Sequence, residues 1–298
     1  EFGQSVSISG NYAIVGAYEE DEDASGNNTK SGAGSAYLFE RDKAGTWSEV
    51  QKIVASDRDN YDYFGWTVSI SGDYAIVGAR REEEDASGQN TQNSAGSAYI
   101  FERNASNGTW SEVQKIVASD RAENDRFGGS VSISGNYTIV GAYKEDEDAS
   151  GQNTKDYAGS AYLFERNANG TWSEVQKIVA SDRAKNDYFG YSVSISGQNA
   201  IVGAYNEDNS GNSFSGAGSA YLFEQPQPIT ELVFNGSAWN SDPDNTTSAL
   251  PARVQSGIAQ LSSTANVKRL RVRPNTSLDL NGQTLTADTV YLEADANG

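Results

Sequence analysis

A repeat of about sixty residues, four short alternating runs inside each repeat and no helical period predict an all-β chain. The repeats are expected to stand as four-stranded antiparallel blades of a β-propeller, followed by a small β domain. Phe-Gly marks the period at Phe2-Gly3, Phe64-Gly65, Phe127-Gly128 and Phe189-Gly190. The run GTWSEVQKIVASDR stands unchanged at Gly45–Arg58, Gly108–Arg121 and Gly170–Arg183, an identity that indicates recent duplication.

Each unit divides into the same four elements. In Ser5-Val6-Ser7-Ile8-Ser9 apolar residues alternate with polar ones, the period of a strand. The turn Ser9-Gly10-Asn11 leads into Tyr12–Ala17, rich in β-branched and aromatic residues. A long polar loop follows, then the run Gly34–Glu40, a glycine-containing turn and the run Trp47–Val54. Gly16-Ala17 and its copies suit close packing of strands better than contact with a phosphate. Recurrence at fixed positions assigns Phe64, Phe127, Phe189, Trp47, Trp110 and Trp172 to packing within and between blades rather than to a ring of ligand-binding aromatics.

Phe-Gly, SVSISG, AIVGA, GSAYLFER, GTW and a closing ASD together resemble the bacterial FG-GAP repeat, related to the propeller of integrin α-chains. The resemblance covers residues 2–224 in four copies. It implies a seven-bladed ring, so further blades are expected upstream of Glu1. The fourth copy ends at Gly218–Glu224 without the Trp-bearing strand, and an N-terminal segment outside this chain is expected to supply it. The opening in mid-pattern without Met reads as a piece of a longer protein. The resemblance also implies a place in a large secreted surface adhesin.

Composition narrows the chemistry. The chain has no Cys, no Met and no His. Disulfides, thiolate nucleophiles and zinc-type sites are therefore excluded, and oxygen is left as the metal-ligating atom, which favours calcium. The formal charge is −19, from 41 acidic and 22 basic residues. A polyanionic surface repels nucleic-acid phosphate and anionic lipid, so no nucleic-acid partner and no membrane insertion is expected. Low Lys content, abundant Gly, Ser, Asn and Thr, and the missing thiols suit an extracellular or bacterial cell-surface location.

The candidate calcium ligands lie in the long loop between the second and third runs. Oxygen side chains stand at alternate positions ahead of a glycine, the spacing of calcium loops. They are Asp21, Asp23 and Ser25 in the first copy and Glu83, Asp85 and Ser87 in the second. The third copy has Asp146, Asp148 and Ser150, and the fourth Asn206, Asp208 and Ser210. No bidentate Glu closes the loop, and the integrin-type loop lies between other strands, so its site is not transferable. Plain solvated acidic loops are the competing reading. A second acidic set precedes each Phe-Gly: Asp57 and Asp62, Asp120 and Asp125, Asp182 and Asp187. In an up-and-down blade both sets leave on one face, so they can share a cation, although turn chemistry accounts for Asp there as well.

Residues 225–228 read as a Pro-containing linker, and 229–298 as a β-rich domain, either the start of a β-solenoid or a small sandwich. Arg269, Arg271 and Arg273 fall on one face of a strand. Eight Asn-x-Ser/Thr sites and Asp288-Thr289-Val290 are weak glycosylation signals. The function expected is calcium-dependent adhesion or ligand binding toward an extracellular protein or glycan. A structural spacer in a surface fibre is the alternative. A propeller enzyme such as a glycosidase or lyase is disfavoured, because the acidic groups recur in every unit instead of forming one asymmetric centre.

Overall fold

The computed structural model describes residues 1–208 and 216–224 in full, and beyond them the backbone of five strands between 252 and 292. The chain divides into two compact units, Glu1–Gln225 and Pro226–Gly298. The first unit holds four antiparallel sheets in chain order. The first sheet comprises β1 (Val6–Ser9), β2 (Tyr12–Ala17), β3 (Ser35–Arg41) and β4 (Trp47–Ile53). The second comprises β5 (Phe64–Ser71), β6 (Tyr74–Ala79), β7 (Ser97–Arg103) and β8 (Trp110–Ile116). The third comprises β9 (Phe127–Ser134), β10 (Tyr137–Ala142), β11 (Ser160–Arg166) and β12 (Trp172–Ile178). The fourth has three described strands, β13 (Phe189–Ser196), β14 (Asn199–Ala204) and β15 (Ser219–Glu224). Each sheet is a meander in sequence order, and no helix occurs among the described residues.

Sheet packing follows from the Phe-Gly pair. Strand β5 lies against β1 and β2, β9 against β5 and β6, and β13 against β9 and β10. Phe64, Phe127 and Phe189 are completely buried at these junctions. Each meets two rings of its own sheet edge-on, as Phe64 meets Tyr99 at 5.4 Å and Phe101 at 6.0 Å. The glycine beside it makes the approach possible. A Cβ on Gly65 would stand 2.2 Å from the Ser35 carbonyl oxygen, and one on Gly16 would stand 2.0 Å from the Gly65 oxygen. Close strand packing therefore accounts for Gly16-Ala17, as the sequence indicates. Farther out, Trp110 packs edge-on against Tyr12 and Trp172 against Tyr74, both across sheets. Trp47 has no sheet in front of it among the described residues and is 38% exposed.

The serines of the first strands complete the junction. Ser5, Ser7 and Ser9 accept hydrogen bonds from the backbone N–H groups of Val68, Ile70 and Gly72 at 3.0–3.1 Å. Ser69 and Ser71 do the same for Ile133 and Gly135, and Ser132 and Ser134 for Ile195 and Gly197. Edge-strand amides that would otherwise face open space are thus paired. The outermost faces of the first unit are apolar. Phe2, Val6 and Ile8 are exposed, whereas their counterparts Phe64, Val68 and Ile70 are buried. On the opposite face Leu222 is 82% exposed, against 1% for its counterpart Leu163.

In the second unit β16 (Ala252–Arg253), β18 (Ala265–Val272) and β20 (Leu285–Leu292) form one sheet, and β17 (Gly257–Gln260) pairs with β19 (Thr276–Asp279). All these pairs are parallel, with registers such as Ala265↔Leu285 and Gly257↔Thr276. The offset between paired strands is nearly constant. Arg269 and Arg271 lie in β18 and Asp288 in β20; Arg273 lies outside the described residues.

Two glycines separate close approach from backbone conformation. A Cβ at Gly128 would meet the Ser97 oxygen at 2.3 Å, while one at Gly135 meets nothing within 4 Å, and both glycines have positive φ. Gly135→Ala is expected to destabilise by about 1 kcal/mol, the cost of left-handed backbone alone. Gly128→Ala is expected to cost at least about 3 kcal/mol, because sheets must also move apart. Equal urea-unfolding losses for the two would contradict the packing described.

Candidate functional site

The long loops are organised by an aspartate at their third position. In the first loop Asp23 Oδ1 accepts from Ser25 N, Ser25 Oγ and Asn27 N at 2.7–3.0 Å. The Asn28 side chain donates to Oδ2, and Asn28 turns the chain with a left-handed φ of 47°. Asp85 and Asp148 repeat the arrangement with Ser87 and Ser150. These donors, the serine hydroxyl foremost, hold all three carboxyls well below the usual carboxylate range. The first-position residues are employed differently. Asp21 accepts from Gly32 N at 2.7 Å and Asp146 from Tyr157 N at 2.6 Å. Glu83 offers its backbone oxygen to Gln92 N. In the fourth copy Asp208 accepts from Gly216 N, Asn206 donates to the Asn186 oxygen, and Ser210 lies outside the described residues.

An arginine closes each loop from the following linker. Arg58 donates through Nη1 to the Asn28 oxygen and through Nη2 to the Asp21 oxygen, both at 2.6 Å. Arg121 grips Asn90 and Glu83 in the same way, and Arg183 grips Asn153 and Asp146. Lys30 and Lys155 tie the loop back by donating to the Arg58 and Arg183 oxygens. A fixed fork of donors suits two carbonyls held side by side. These arginines end the run that is identical in three copies, yet repetition alone does not mark them as loop clamps.

The second acidic set divides into two roles. Asp57 accepts from Tyr99 Oη at 2.8 Å and pairs with Lys115 Nζ at 2.7 Å, and the same ammonium reaches Glu82 at 2.9 Å. Asp120, Tyr162, Lys177 and Glu145 reproduce this in the next sheet. Glu84 and Glu147 complete these groups, so that Asp57 with Glu82 and Glu84, and Asp120 with Glu145 and Glu147, bring oxygens within 4.8 Å of one another. Linker and long loop thus share one acidic group, as their common face predicts. Oxygen-only donors of this kind could hold a hard divalent ion such as calcium. Lys115 and Lys177 already supply counter-charge from side chains only 6% and 7% exposed. Among the described residues Glu84 and Glu147 have no salt bridge of their own, so a cation could sit on their side of each group.

Asp62, Asp125 and Asp187 are turn-formers and are buried. They accept from the backbone N–H of Asp59, Ala122 and Ala184 respectively. Burial, strengthened by neighbouring carboxylates, pushes Asp62 up to about 7 and Asp125 up to about 8. A folded-state value above the unfolded one means that the folded chain binds more protons between roughly pH 4 and 8. The stabilising contribution is therefore complete below that window and lost as pH rises through it. Asp125→Asn keeps the N–H acceptor and removes the charge. It is expected to raise the melting temperature at pH 8 by a few degrees and to leave it nearly unchanged at pH 4. A variant that melts lower at pH 8 would contradict the assignment.

A family model described as FG-GAP repeat matches residues 1–39, 47–101, 110–164 and 172–223. The first segment covers the first three strands of the first sheet, and each later one begins at the fourth strand of one sheet and runs into the third strand of the next. A comparison with curated proteins finds no match.

Proposed function

The chain belongs to the FG-GAP repeat family, and from that premise we propose that it is a calcium-dependent adhesion or ligand-binding module of a bacterial surface or secreted protein. FG-GAP repeats are generally extracellular repeats of ligand-binding or adhesion type. No described helix is long and apolar enough to cross a membrane. One observation carries the reading. The acidic loops and linkers of successive sheets are fixed to each other by the buried Arg58 and Arg183, the partly buried Arg121 and the lysines Lys115 and Lys177, so the surface they form is ordered before any partner arrives. Preordering reduces the entropy lost on binding. The partner proposed is an extracellular protein or a glycan.

Further blades of the same kind are proposed to cover the two apolar faces and to complete a seven-bladed ring. The exposed Phe2, Val6 and Ile8 on one face, and Ile201 and Leu222 on the other, support this, since inner sheets bury the same residues. The acidic groups recur from sheet to sheet instead of forming one asymmetric centre, and no catalytic role is proposed.

Calcium is assigned to the groups around Glu84 and Glu147. Thermal unfolding in millimolar calcium is expected to show a melting point a few degrees higher, reversed by chelator, because an ion bound only by the folded state stabilises it. Replacing both residues, Glu84→Gln with Glu147→Gln, is expected to abolish the shift. An unchanged melting point in the parent chain would remove calcium from the account and leave the module.

A further inference from the structure

Aromatic rings and cations form one continuous belt across all four sheets, at the ends of the second strands and the starts of the first. Tyr18 meets Tyr63 at 5.2 Å and Trp66 at 4.7 Å. The Arg80 guanidinium lies 3.2 Å from the centre of the Trp66 ring and donates to Tyr143 Oη at 3.2 Å. Tyr143 meets Tyr191 at 5.4 Å, and Tyr191 meets Tyr205 at 4.4 Å. Tyr191 and Tyr205 are each about half exposed, so the belt is open to solvent.

The charge of the belt is opposite to that of the chain. Arg80, Arg81, Arg126 and Lys144 gather here, and among the described residues none has a carboxylate within 4.0 Å. Nη1 of Arg126 is buried without a hydrogen-bond partner. Partial burial, followed by repulsion from the three arginines, holds the Lys144 ammonium below its ordinary range. On a chain of net charge −19, the cations described above each have a carboxylate or a carbonyl to meet, whereas Arg80, Arg81 and Lys144 lie against the rings of Trp66, Tyr63 and Tyr157. Clustering cations that repel one another is unfavourable unless an anion joins them.

Backbone and repeat variation point to the same place. The residue before each Phe-Gly adopts left-handed φ, 60° at Tyr63, 64° at Arg126 and 56° at Tyr188. Bulky residues there are strained, and such strain collects at binding sites. The three copies of the run ending in Arg58, Arg121 and Arg183 are identical, yet the position after Phe-Gly reads Trp66, Gly129 and Tyr191. The position after the second strand reads Tyr18, Arg80, Tyr143 and Tyr205. The belt is therefore asymmetric, whereas the scaffold beneath it is repeated.

We propose that this belt binds an acidic oligosaccharide, with sugar faces stacked on Tyr191 and Tyr205 and carboxylates paired with Arg81, Arg126 and Lys144. Flat rings suit the apolar face of a sugar, and a guanidinium fork suits a carboxylate. The length of the belt favours a chain of sugars over a single anion. The assignment rests on the ligand-binding reading and names its ligand class.

The test is calorimetric titration of the full chain with a short oligogalacturonate, a neutral galacto-oligosaccharide, a sulfated oligosaccharide and oligoglutamate. The oligogalacturonate is expected to bind, with quenching or enhancement of Trp66 fluorescence that Trp66→Phe removes. The neutral sugar is expected not to bind. The double variant Arg126→Gln with Lys144→Gln is expected to weaken binding by roughly tenfold or more, without lowering the melting temperature. Binding of the sulfated sugar alone would replace carboxylate by sulfate ester and overturn the ligand assigned. Preference for oligoglutamate, or equal affinity of the double variant, would overturn the proposal. If the parent chain and the double variant retain the same partner from a panel of glycans and matrix proteins, the belt fails while the module stands. If the parent chain retains nothing from any panel, both fail.

Discussion

Backbone contact between successive sheets at the Phe-Gly pair is the constraint from which the rest of the first unit follows. Gly34 and Phe64 form a parallel bridge between sheets, as do Gly96 with Phe127 and Gly159 with Phe189. No side chain larger than hydrogen fits where Gly16, Gly34 and Gly65 cross the neighbouring backbone. That closeness brings the serine hydroxyls of one first strand within reach of the next strand's amides. It also buries each phenylalanine, a contribution of about 2–3 kcal/mol per ring. A wider spacing would lose both terms at once.

The same spacing organises the charges. Because sheets approach closely along their first strands, the linker that enters one sheet passes beside the long loop of the sheet before it. Arg58 can then reach back across 37 residues of chain to the Asp21 carbonyl. Lys115 can likewise join Asp57 of the linker to Glu82 of its own sheet. Buried ion pairs of this sort gain little net stability against an apolar alternative, but removing one partner strands the other. Their effect is to fix the loops in place. The anionic loops and the cationic belt then present two chemically distinct surfaces on one repeated frame.

Much of this was legible in the amino-acid sequence, for physical reasons. Alternation in Ser5–Ser9 and its copies gives the strands, and the glycine beside each phenylalanine marks a point without room for a Cβ. Asp62, Asp125 and Asp187 are turn aspartates, as their place before the tight Phe-Gly entry suggests. Other features left no local trace. Alternation does not say what a serine hydroxyl bonds to, and Ser7 finds its partner, Ile70 N, 63 residues away. Carbonyl oxygens carry no side-chain signature, so the targets of Arg58, Arg121 and Arg183 could not be read from composition. Spacing singled out Asp23, Asp85 and Asp148 as candidate ligands, but each is engaged by its own loop's donors, and the carboxylates that come together combine loop with linker. The belt was hidden because its residues differ from copy to copy, and comparison of copies draws the eye to what recurs.

Amide hydrogen exchange, resolved by residue, tests the sheet-to-sheet contact most directly. The amides of Ile70, Ile133 and Ile195 face away from their own sheets and are paired to serines of the sheet in front. They are expected to exchange as slowly as strand-centre amides, while that of Ile8, with no such serine before it among the described residues, exchanges quickly. Fast exchange at all four positions would mean that the sheets do not meet as described.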